Sequence, residues 1–251
     1  MFIISLKWVE VHVISYDLKN DGLFVITDAE ICDRAFFLRS KLETVYLSKF
    51  SDSNPTLNRN LLRRFTQDPL CLQLFFSSKL ISYVRTVANV FEPNQTSPIV
   101  SHFTSHDVTG QGHGLGFHQD WPSMGTSDTG IVCWITLYDT DRHTIQFVPG
   151  SHKKGVLPGK QTETGYLVEP THYTDAHVLR VPAGSVVLFS PWLVHATYVD
   201  PKAEEGAFKL ALSTRYDDLE CAAWQKRGYE SAYSTTVDRQ LWSASLEKTS
   251  S

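Results

Sequence analysis

The chain has 251 residues, of which 42% are hydrophobic and 12% aromatic, and a formal net charge of −4 at pH 7. This much apolar material supports a packed core and excludes a disordered chain. The mildly acidic balance, with no basic run, argues against nucleic acid or an anionic membrane surface as a partner. The four cysteines form no CxxC pair, which predicts reduced thiols in a cytoplasmic protein rather than a disulfide framework or a zinc knuckle.

Residues 1–97 are predicted to be mostly helical. Residues 1–18 are apolar but interrupted by charges, which favours an edge strand or a lead-in over a membrane span or a cleaved leader. A capping box at 27–30 predicts the start of a first helix. A second helix is predicted over 68–88, where aspartate caps and proline takes the first helical position. The polar stretch 51–60 is predicted to be a loop between the two helices.

From residue 98 onward, short runs rich in β-branched and aromatic residues predict strands, separated by proline and glycine turns. These strands are 131–138, 144–148, 178–181, 185–190 and 208–216. Strands after a helical part favour a mainly β (α+β) fold, a jelly roll with the N-terminal helices packed on one sheet. The irregular stretch 155–177 is predicted to be a loop over the site mouth. We expect one domain over 1–251, with its jelly-roll core at 98–218 and a C-terminal extension at 219–251.

His118 and Asp120 form the centre of the predicted site. Side chains two apart in a strand point to the same face, so both can reach one metal ion while Gln119 points away. One imidazole and one carboxylate are two ligands of the facial triad that holds non-haem iron(II) and leaves coordination positions open. The HxD pattern alone is common, and an isolated histidine in a strand is more often structural. Here Phe117 and Trp121 flank the motif.

A facial triad needs a second histidine, and the chain has ten histidines in all. His195 is the predicted ligand because it follows the predicted strand 185–190, and a late strand of a barrel can bring a ligand back beside an early strand. His113, five residues before His118, would face the opposite side of a regular strand. The remaining histidines lie in the lead-in, before the HxD motif, or in turns and the irregular stretch.

Arg215 is a candidate for binding a buried anion. Alternation along 209–216 places it on one face behind the small residues Ala211 and Ser213. A guanidinium there can bind a carboxylate through two parallel hydrogen bonds. The alternative is a surface arginine that pairs with Asp217 or Asp218.

Five segments between residues 98 and 218 occur in a specific order. They are HQD at 118–120, IVCW at 131–134, QFVPGSHKKG at 146–155, PAGSVVLFSPWLVHAT at 182–197 and LSTRY at 212–216. In this order they resemble the phytanoyl-CoA dioxygenase family of iron(II)/2-oxoglutarate oxygenases, with a weaker likeness at 21–26. One departure is that family members often have an Asn-Gly turn before PGSH, which the shorter stretch 139–144 lacks. The substrate-side turn therefore departs from the family pattern.

The resemblance implies a double-stranded β-helix fold, cupin-like, and an enzyme that uses iron(II), 2-oxoglutarate and O2. It implies three iron ligands: His118, Asp120 and His195. It makes Arg215 the partner of the distal carboxylate of 2-oxoglutarate and Thr197 a second contact of that carboxylate. Trp134 matches a position that lines the co-substrate pocket, and its alternative is a plain core tryptophan.

The resemblance predicts a hydroxylase that acts on an unactivated C–H bond of a small molecule and releases succinate and CO2. Asp120 favours hydroxylation over halogenation, since related halogenases have a small residue there, but desaturation and ring formation stay open. The substrate is expected to be a polar or specialised metabolite contacted by Trp121, His113 and Trp192. Two other classes remain possible: a metal-binding cupin that isomerises or hydrolyses without oxygen, and a non-catalytic ligand-binding jelly roll.

Overall fold

A computed structural model describes residues 16–105, 114–124, 127–162, 165–203 and 207–230. Residues 1–15 of the predicted lead-in (1–18) lie outside the described residues. The helices are α1 (Ala29–Lys41), α2 (Pro55–Thr66), α3 (Pro69–Phe75), α4 (Ser78–Ala88), α5 (Trp121–Met124) and α6 (Ala222–Lys226). The strands are β1 (Leu23–Ile26), β2 (Pro93–Gln95), β3 (Val100–Ser105), β4 (His118–Gln119), β5 (Ile131–Thr136), β6 (His143–Phe147), β7 (Gly159–Thr162), β8 (Gly165–Val168), β9 (His177–Val178), β10 (Val186–Phe189), β11 (His195–Val199) and β12 (Phe208–Asp218).

Helix α1 begins one residue later than its predicted cap. The carboxylate of Asp28 accepts hydrogen bonds from the backbone N–H groups of Glu30 and Ile31. The predicted capping box at Thr27 is therefore wrong, and the Thr27 hydroxyl instead lies 3.2 Å from the Ser185 hydroxyl. Asp28 is the better cap because a negative charge is favoured at the positive end of the helix dipole.

The helical part contains one helix that was predicted as a loop and one break that was not predicted. Helix α2 starts after Asn54, whose side chain accepts a hydrogen bond from the Leu57 N–H, with proline at the first position. The predicted helix 68–88 is two helices, because Ser77 caps α4 by accepting from the Leu80 N–H. The sequence shows one apolar stripe over 68–88 because α3 and α4 both bury residues in the same core. This continuity hides the break between them.

The described strands form two antiparallel sheets. The first sheet has the order β1-β10-β5-β12-β2, with β3 also paired to β12, and the second has the order β7-β8-β4-β11-β6-β9. The stretch predicted to be a loop over the site mouth contains the hairpin β7–β8, whose strand β8 pairs with β4. This hairpin escaped prediction because its strands are four residues each and partly exposed, so they lack an apolar run.

The first sheet is apolar on both faces, and each face packs against a different layer. On β5, Cys133 and Ile135 pack against the helices, whereas Val132 and Trp134 pack between the sheets. This alternation is the two-residue period of a strand. The prediction of a jelly roll with helices on one sheet is therefore confirmed. Among the described residues, none of the helices has both the length and the apolar composition that a membrane crossing requires.

Candidate active site

Three buried side chains converge between the two sheets. His118 and His195 are direct neighbours in the β4–β11 pair, and Asp120 follows the end of β4. One ligand atom from each of the three residues lies within 4.8 Å of the other two. The Nε2 atom of His118 is 3.5 Å from Oδ1 of Asp120. The structure thus brings together the three predicted metal ligands, which the sequence separates by up to 77 residues.

Backbone carbonyl groups orient both imidazoles. The Nδ1 atom of His118 lies 2.7 Å from the Gly116 oxygen, and Nδ1 of His195 lies 3.0 Å from the Leu193 oxygen. A carbonyl can only accept, so each Nδ1 is the donor, and each Nε2 is the ring nitrogen that is left available to a metal. Burial lowers the pKa of His195 to about 4, so this ring is neutral at physiological pH, as ligation requires.

Arg215 contacts the carboxylate of Asp120 directly. It is 5% exposed, and its Nη2 lies 2.7 Å from Oδ2 of Asp120. The alternative that Arg215 is a surface residue is therefore wrong. Burial raises the pKa of Asp120, but the Arg215 guanidinium and the hydrogen bond with His118 outweigh it and hold the pKa well below its usual range. Asp120 is consequently a carboxylate, the form that binds metal.

Gln119 points away from the ligands, as the alternation of a strand predicts. Its amide group donates hydrogen bonds to the carbonyl oxygens of Gly155 and Trp192 and accepts one from the Leu157 N–H. These three bonds satisfy a fully buried side chain and join β4 to the segment before β7. Gln119 therefore holds β4 in place from the side opposite to the side chains of His118 and Asp120.

A cavity of about 620 Å³ opens from the three ligands into the space between the sheets. Its volume is in the range of small-molecule sites. Trp134 lines this cavity and also belongs to the core between the sheets, so both interpretations of this residue hold. Thr197 and Arg215 line it as well. All three residues predicted to bind the co-substrate thus face the same cavity as the ligands.

The residues predicted to contact substrate are placed differently. Trp121 and Trp192 stack on each other with ring centroids 4.1 Å apart, and the Trp121 indole donates a hydrogen bond to the Ser127 carbonyl. Neither is among the described residues that line the cavity. His113 lies outside the described residues. A role of these three residues in substrate binding remains a prediction.

Two cavity residues were missed by the sequence analysis. Lys209 is 2% exposed, and burial lowers its pKa to about 7. His102 places its Nε2 atom 2.8 Å from the Ser213 hydroxyl, and burial lowers its pKa to about 3. Alternation along β12 puts Lys209 on the same face as Arg215, and this signal was available. His102 comes from β3, and nothing in the local sequence distinguishes it from other histidines.

Fold and site together define a jelly-roll protein with a buried site of two histidines and one carboxylate. The family described as phytanoyl-CoA dioxygenase (PhyH) matches residues 28–199, and the chain belongs to this family. The match begins well before the five segments between residues 98 and 218, so it includes the N-terminal helices. A comparison with curated proteins found no match.

Several solved structures share the fold. EctD from S. alaskensis, described with 2-oxoglutarate and 5-hydroxyectoine, has a TM-score of 0.60 at 15% identity, covering 86% of this chain and 80% of that chain. HygX from Streptomyces hygroscopicus, described with nickel and 2-oxoglutarate bound, has a TM-score of 0.54 at 16% identity, covering 81% and 85%. The epimerase SnoN, described with Fe3+, alpha ketoglutarate and nogalamycin RO, has a TM-score of 0.50 at 16% identity, covering 80% of each chain. At these identities the likeness concerns the fold.

Proposed function

We propose that the protein is an iron(II)- and 2-oxoglutarate-dependent dioxygenase that hydroxylates a C–H bond of a small molecule. The observation that carries the proposal is the convergence of His118, Asp120 and His195, with ligand atoms within 4.8 Å of one another beside a cavity. Membership of the phytanoyl-CoA dioxygenase family supports it. Similarly folded proteins are described with 2-oxoglutarate and with iron or nickel, which supports the choice of cofactors.

The residues present fit iron(II). Two imidazoles, each with its Nδ1 atom bonded to a carbonyl group and its Nε2 atom available to a metal, and one carboxylate make the ligand set of the facial triad, which leaves coordination positions for further ligands. The hydrogen bonds at both Nδ1 atoms and at Oδ2 of Asp120 supply the outer contacts that such ligands need. A zinc site of closed tetrahedral type would want a fourth protein ligand, and the described residues show three in this group.

When bound, iron(II), 2-oxoglutarate and O2 supply the oxidation: one oxygen atom enters succinate, the other enters the substrate, and CO2 leaves. The protein holds the reactants in place and keeps water away from them. Val132, Ile145 and Phe189 give the cavity an apolar wall, and Phe189 packs edge-on against the His195 ring at 4.8 Å between centroids. Thr197, two residues after His195 on β11, faces the same cavity and is proposed to contact the co-substrate.

Replacing Asp120 tests the metal site. We expect Asp120→Ala to lose iron-dependent formation of succinate from 2-oxoglutarate by at least about 100-fold, because it removes one of three ligands and leaves the Arg215 charge buried. Succinate release and nickel affinity by calorimetry are the measurements. Asp52→Ala, at an exposed aspartate of the N-terminal part, is the matched control. Normal iron-dependent turnover by Asp120→Ala would refute the ligand assignment.

The same assay separates the proposal from the two other classes. An oxygenase releases succinate in air and not under nitrogen, whereas a cupin isomerase or hydrolase has no need of oxygen. A non-catalytic jelly roll would bind neither iron nor nickel. Hydroxylation is the simplest outcome for this ligand set, and identifying the oxidised product of a turnover reaction would test it against desaturation, ring formation or epimerisation.

A further inference from the structure

The pair of Arg215 and Asp120 has to persist when a metal ion competes for the same carboxylate. Nη2 of Arg215 lies 2.7 Å from Oδ2 of Asp120, and both side chains are buried. Because Asp120 is a proposed metal ligand, a bound dication would attract its carboxylate and repel the guanidinium. Arg215 therefore needs a second contact to stay beside Asp120 when the metal site is filled.

Ser213 provides this second contact. Nη1 of Arg215 lies 3.3 Å from the Ser213 hydroxyl oxygen, and the two residues share one face of β12 because they are two positions apart. A guanidinium can only donate, so the hydroxyl oxygen accepts this hydrogen bond. The hydroxyl proton of the buried Ser213 is then left for another acceptor.

His102 is the acceptor next to Ser213. Strand β3 pairs with β12 so that His102 lies opposite Ala211, on the face that also carries Ser213. Its Nε2 atom is 2.8 Å from Oγ of Ser213. Among the described residues, the Ser213 hydroxyl contacts Arg215 and His102 only. The arrangement that uses its proton is therefore donation from Arg215 to Ser213 and from Ser213 to Nε2 of His102.

The His102 ring is suited to end this chain of hydrogen bonds. Burial and the nearby Arg215 charge lower its pKa to about 3. The ring is therefore neutral at physiological pH, and one of its nitrogens is an acceptor. A neutral end also adds no further positive charge beside the guanidinium.

The other end of the chain lies on one oxygen of Asp120. Arg215 occupies Oδ2, whereas Oδ1 lies 3.5 Å from Nε2 of His118, the nitrogen that is available to a metal. A carboxylate whose one oxygen is held by a guanidinium has the other left for the metal. If Arg215 moved away, both oxygens could bind and would fill a coordination position that the co-substrate or O2 needs.

We infer that His102 and Ser213 are positioning residues, which hold Arg215 against Oδ2 of Asp120 so that this carboxylate binds the metal through one oxygen. The inference rests on the proposed function, since it gives both residues a task at the proposed metal site. It connects Asp120, at the end of β4, with β12 and β3 of the first sheet.

Calorimetry of nickel binding tests the inference without turnover. Ser213→Ala and His102→Leu should each weaken nickel affinity by about 2- to 10-fold, the usual effect of losing one neutral hydrogen bond. His102→Gln should retain most of the affinity, because its amide oxygen can accept a hydrogen bond near the position of Nε2. Ser82→Ala, at an exposed serine of α4, is the matched control and should bind nickel like the wild type.

A double-mutant cycle shows whether the two residues act through Arg215. In the Arg215→Leu background, Ser213→Ala and His102→Leu should cause no further loss of nickel affinity, because the guanidinium that they hold is gone. The visible absorption of the cobalt(II)-loaded protein is the second readout, since it responds to the coordination number of the ion. All three single variants should change this spectrum in the same direction.

The outcomes separate this inference from the proposed function. If the wild type binds neither nickel nor cobalt, the proposed function is wrong and the inference fails with it. If the wild type binds nickel and Ser213→Ala and His102→Leu bind it equally well, the positioning role alone is wrong. Losses that add to the loss in Arg215→Leu, or a wild-type cobalt spectrum for Ser213→Ala, would also overturn it, because the effect would not pass through Arg215. Thermal unfolding is the folding check, and if His102→Leu fails to fold, the cycle with Ser213→Ala decides the question.

Discussion

Arg215 connects the first sheet to Asp120, a proposed metal ligand, through a short ion pair. Because the partner is a ligand, removing the guanidinium should affect metal binding first. We expect Arg215→Leu to weaken nickel affinity by roughly 10- to 100-fold, the usual cost of losing an outer contact of a ligand. Calorimetry of metal binding measures this, with the exposed Arg59→Leu of α2 as control.

The same variant distinguishes the two roles considered for Arg215. A positioning role lowers the affinity for metal and, through it, the binding of every 2-oxo acid. A direct contact with the distal carboxylate instead leaves nickel affinity intact and raises the KM for 2-oxoglutarate alone. The second pattern would support the role implied by the family resemblance and contradict a positioning role.

Lys209 lines the cavity, and an ammonium group there would bind a carboxylate of the proposed co-substrate, so it predicts how co-substrate binding changes with pH. Burial lowers its pKa to about 7 in the free protein, so the ammonium form that binds a carboxylate becomes scarce above that pH. Arg215, on the same strand, stays charged, His102 from β3 stays neutral with its pKa near 3, and Trp134 and Thr144 do not titrate in this range. We expect 2-oxoglutarate affinity to fall between pH 7 and 9, by up to about tenfold per unit.

Two controls accompany the pH measurement. The affinity for pyruvate, a 2-oxo acid without a distal carboxylate, should lack this component, and Lys209→Arg should flatten the profile because a guanidinium keeps its proton. An unchanged ratio of 2-oxoglutarate to pyruvate affinity between pH 7 and 9 would count against Lys209. The stability of the ligand-free protein follows the opposite sign, because its folded state holds this proton less well than the unfolded chain. Stability related to Lys209 is therefore lost as pH falls from about 10.5 towards 7.

At the scale of elements, the segment that enters β4 is packed tightly against β11. Gly114 has a φ of +83°, and a Cβ there would overlap the Thr197 side chain. Gly155 also has a positive φ, +69°, but has nothing within 4 Å of a Cβ. An alanine is strained at either position because L side chains rarely adopt a positive φ, but only at Gly114 does the added Cβ also overlap a neighbouring side chain.

We expect Gly114→Ala, unlike Gly155→Ala, to weaken 2-oxoglutarate binding by several fold, because the added methyl group displaces Thr197 from the cavity wall. Calorimetry with nickel-loaded protein gives the affinity, and chemical denaturation gives the free energy of unfolding of each variant. Equal co-substrate affinities for the two variants would show that Thr197 does not contribute to the co-substrate site.

At the scale of the whole molecule, the sequence predicted the strands and the convergence of His118, Asp120 and His195 better than it predicted the helices. Strands such as β5 and β12 alternate between two buried faces, which gives a recognisable pattern. The spacing of two residues between His118 and Asp120 indicates that their side chains point to the same face of a strand. The break between α3 and α4 cannot be seen in the sequence pattern, because both helices bury apolar residues in the same core. The burial of Lys209 could not be inferred from its residue type, since lysine is nearly always exposed. The contact between Arg215 and Asp120 joins residues from different sheets, which no local pattern reports.

The proposed ligands His118 and His195 belong to β4 and β11 of the second sheet, whereas Lys209 and Arg215 belong to β12 of the first. In the described residues no strand pairing joins these two sheets, so their relative alignment depends on side chains packed between them. Gentle heating or low denaturant that loosens this packing should therefore leave a protein that still captures metal yet discriminates poorly between mono- and dicarboxylic acids. Selectivity between these two kinds of acid would then be the most sensitive measure of how well the two sheets pack against each other.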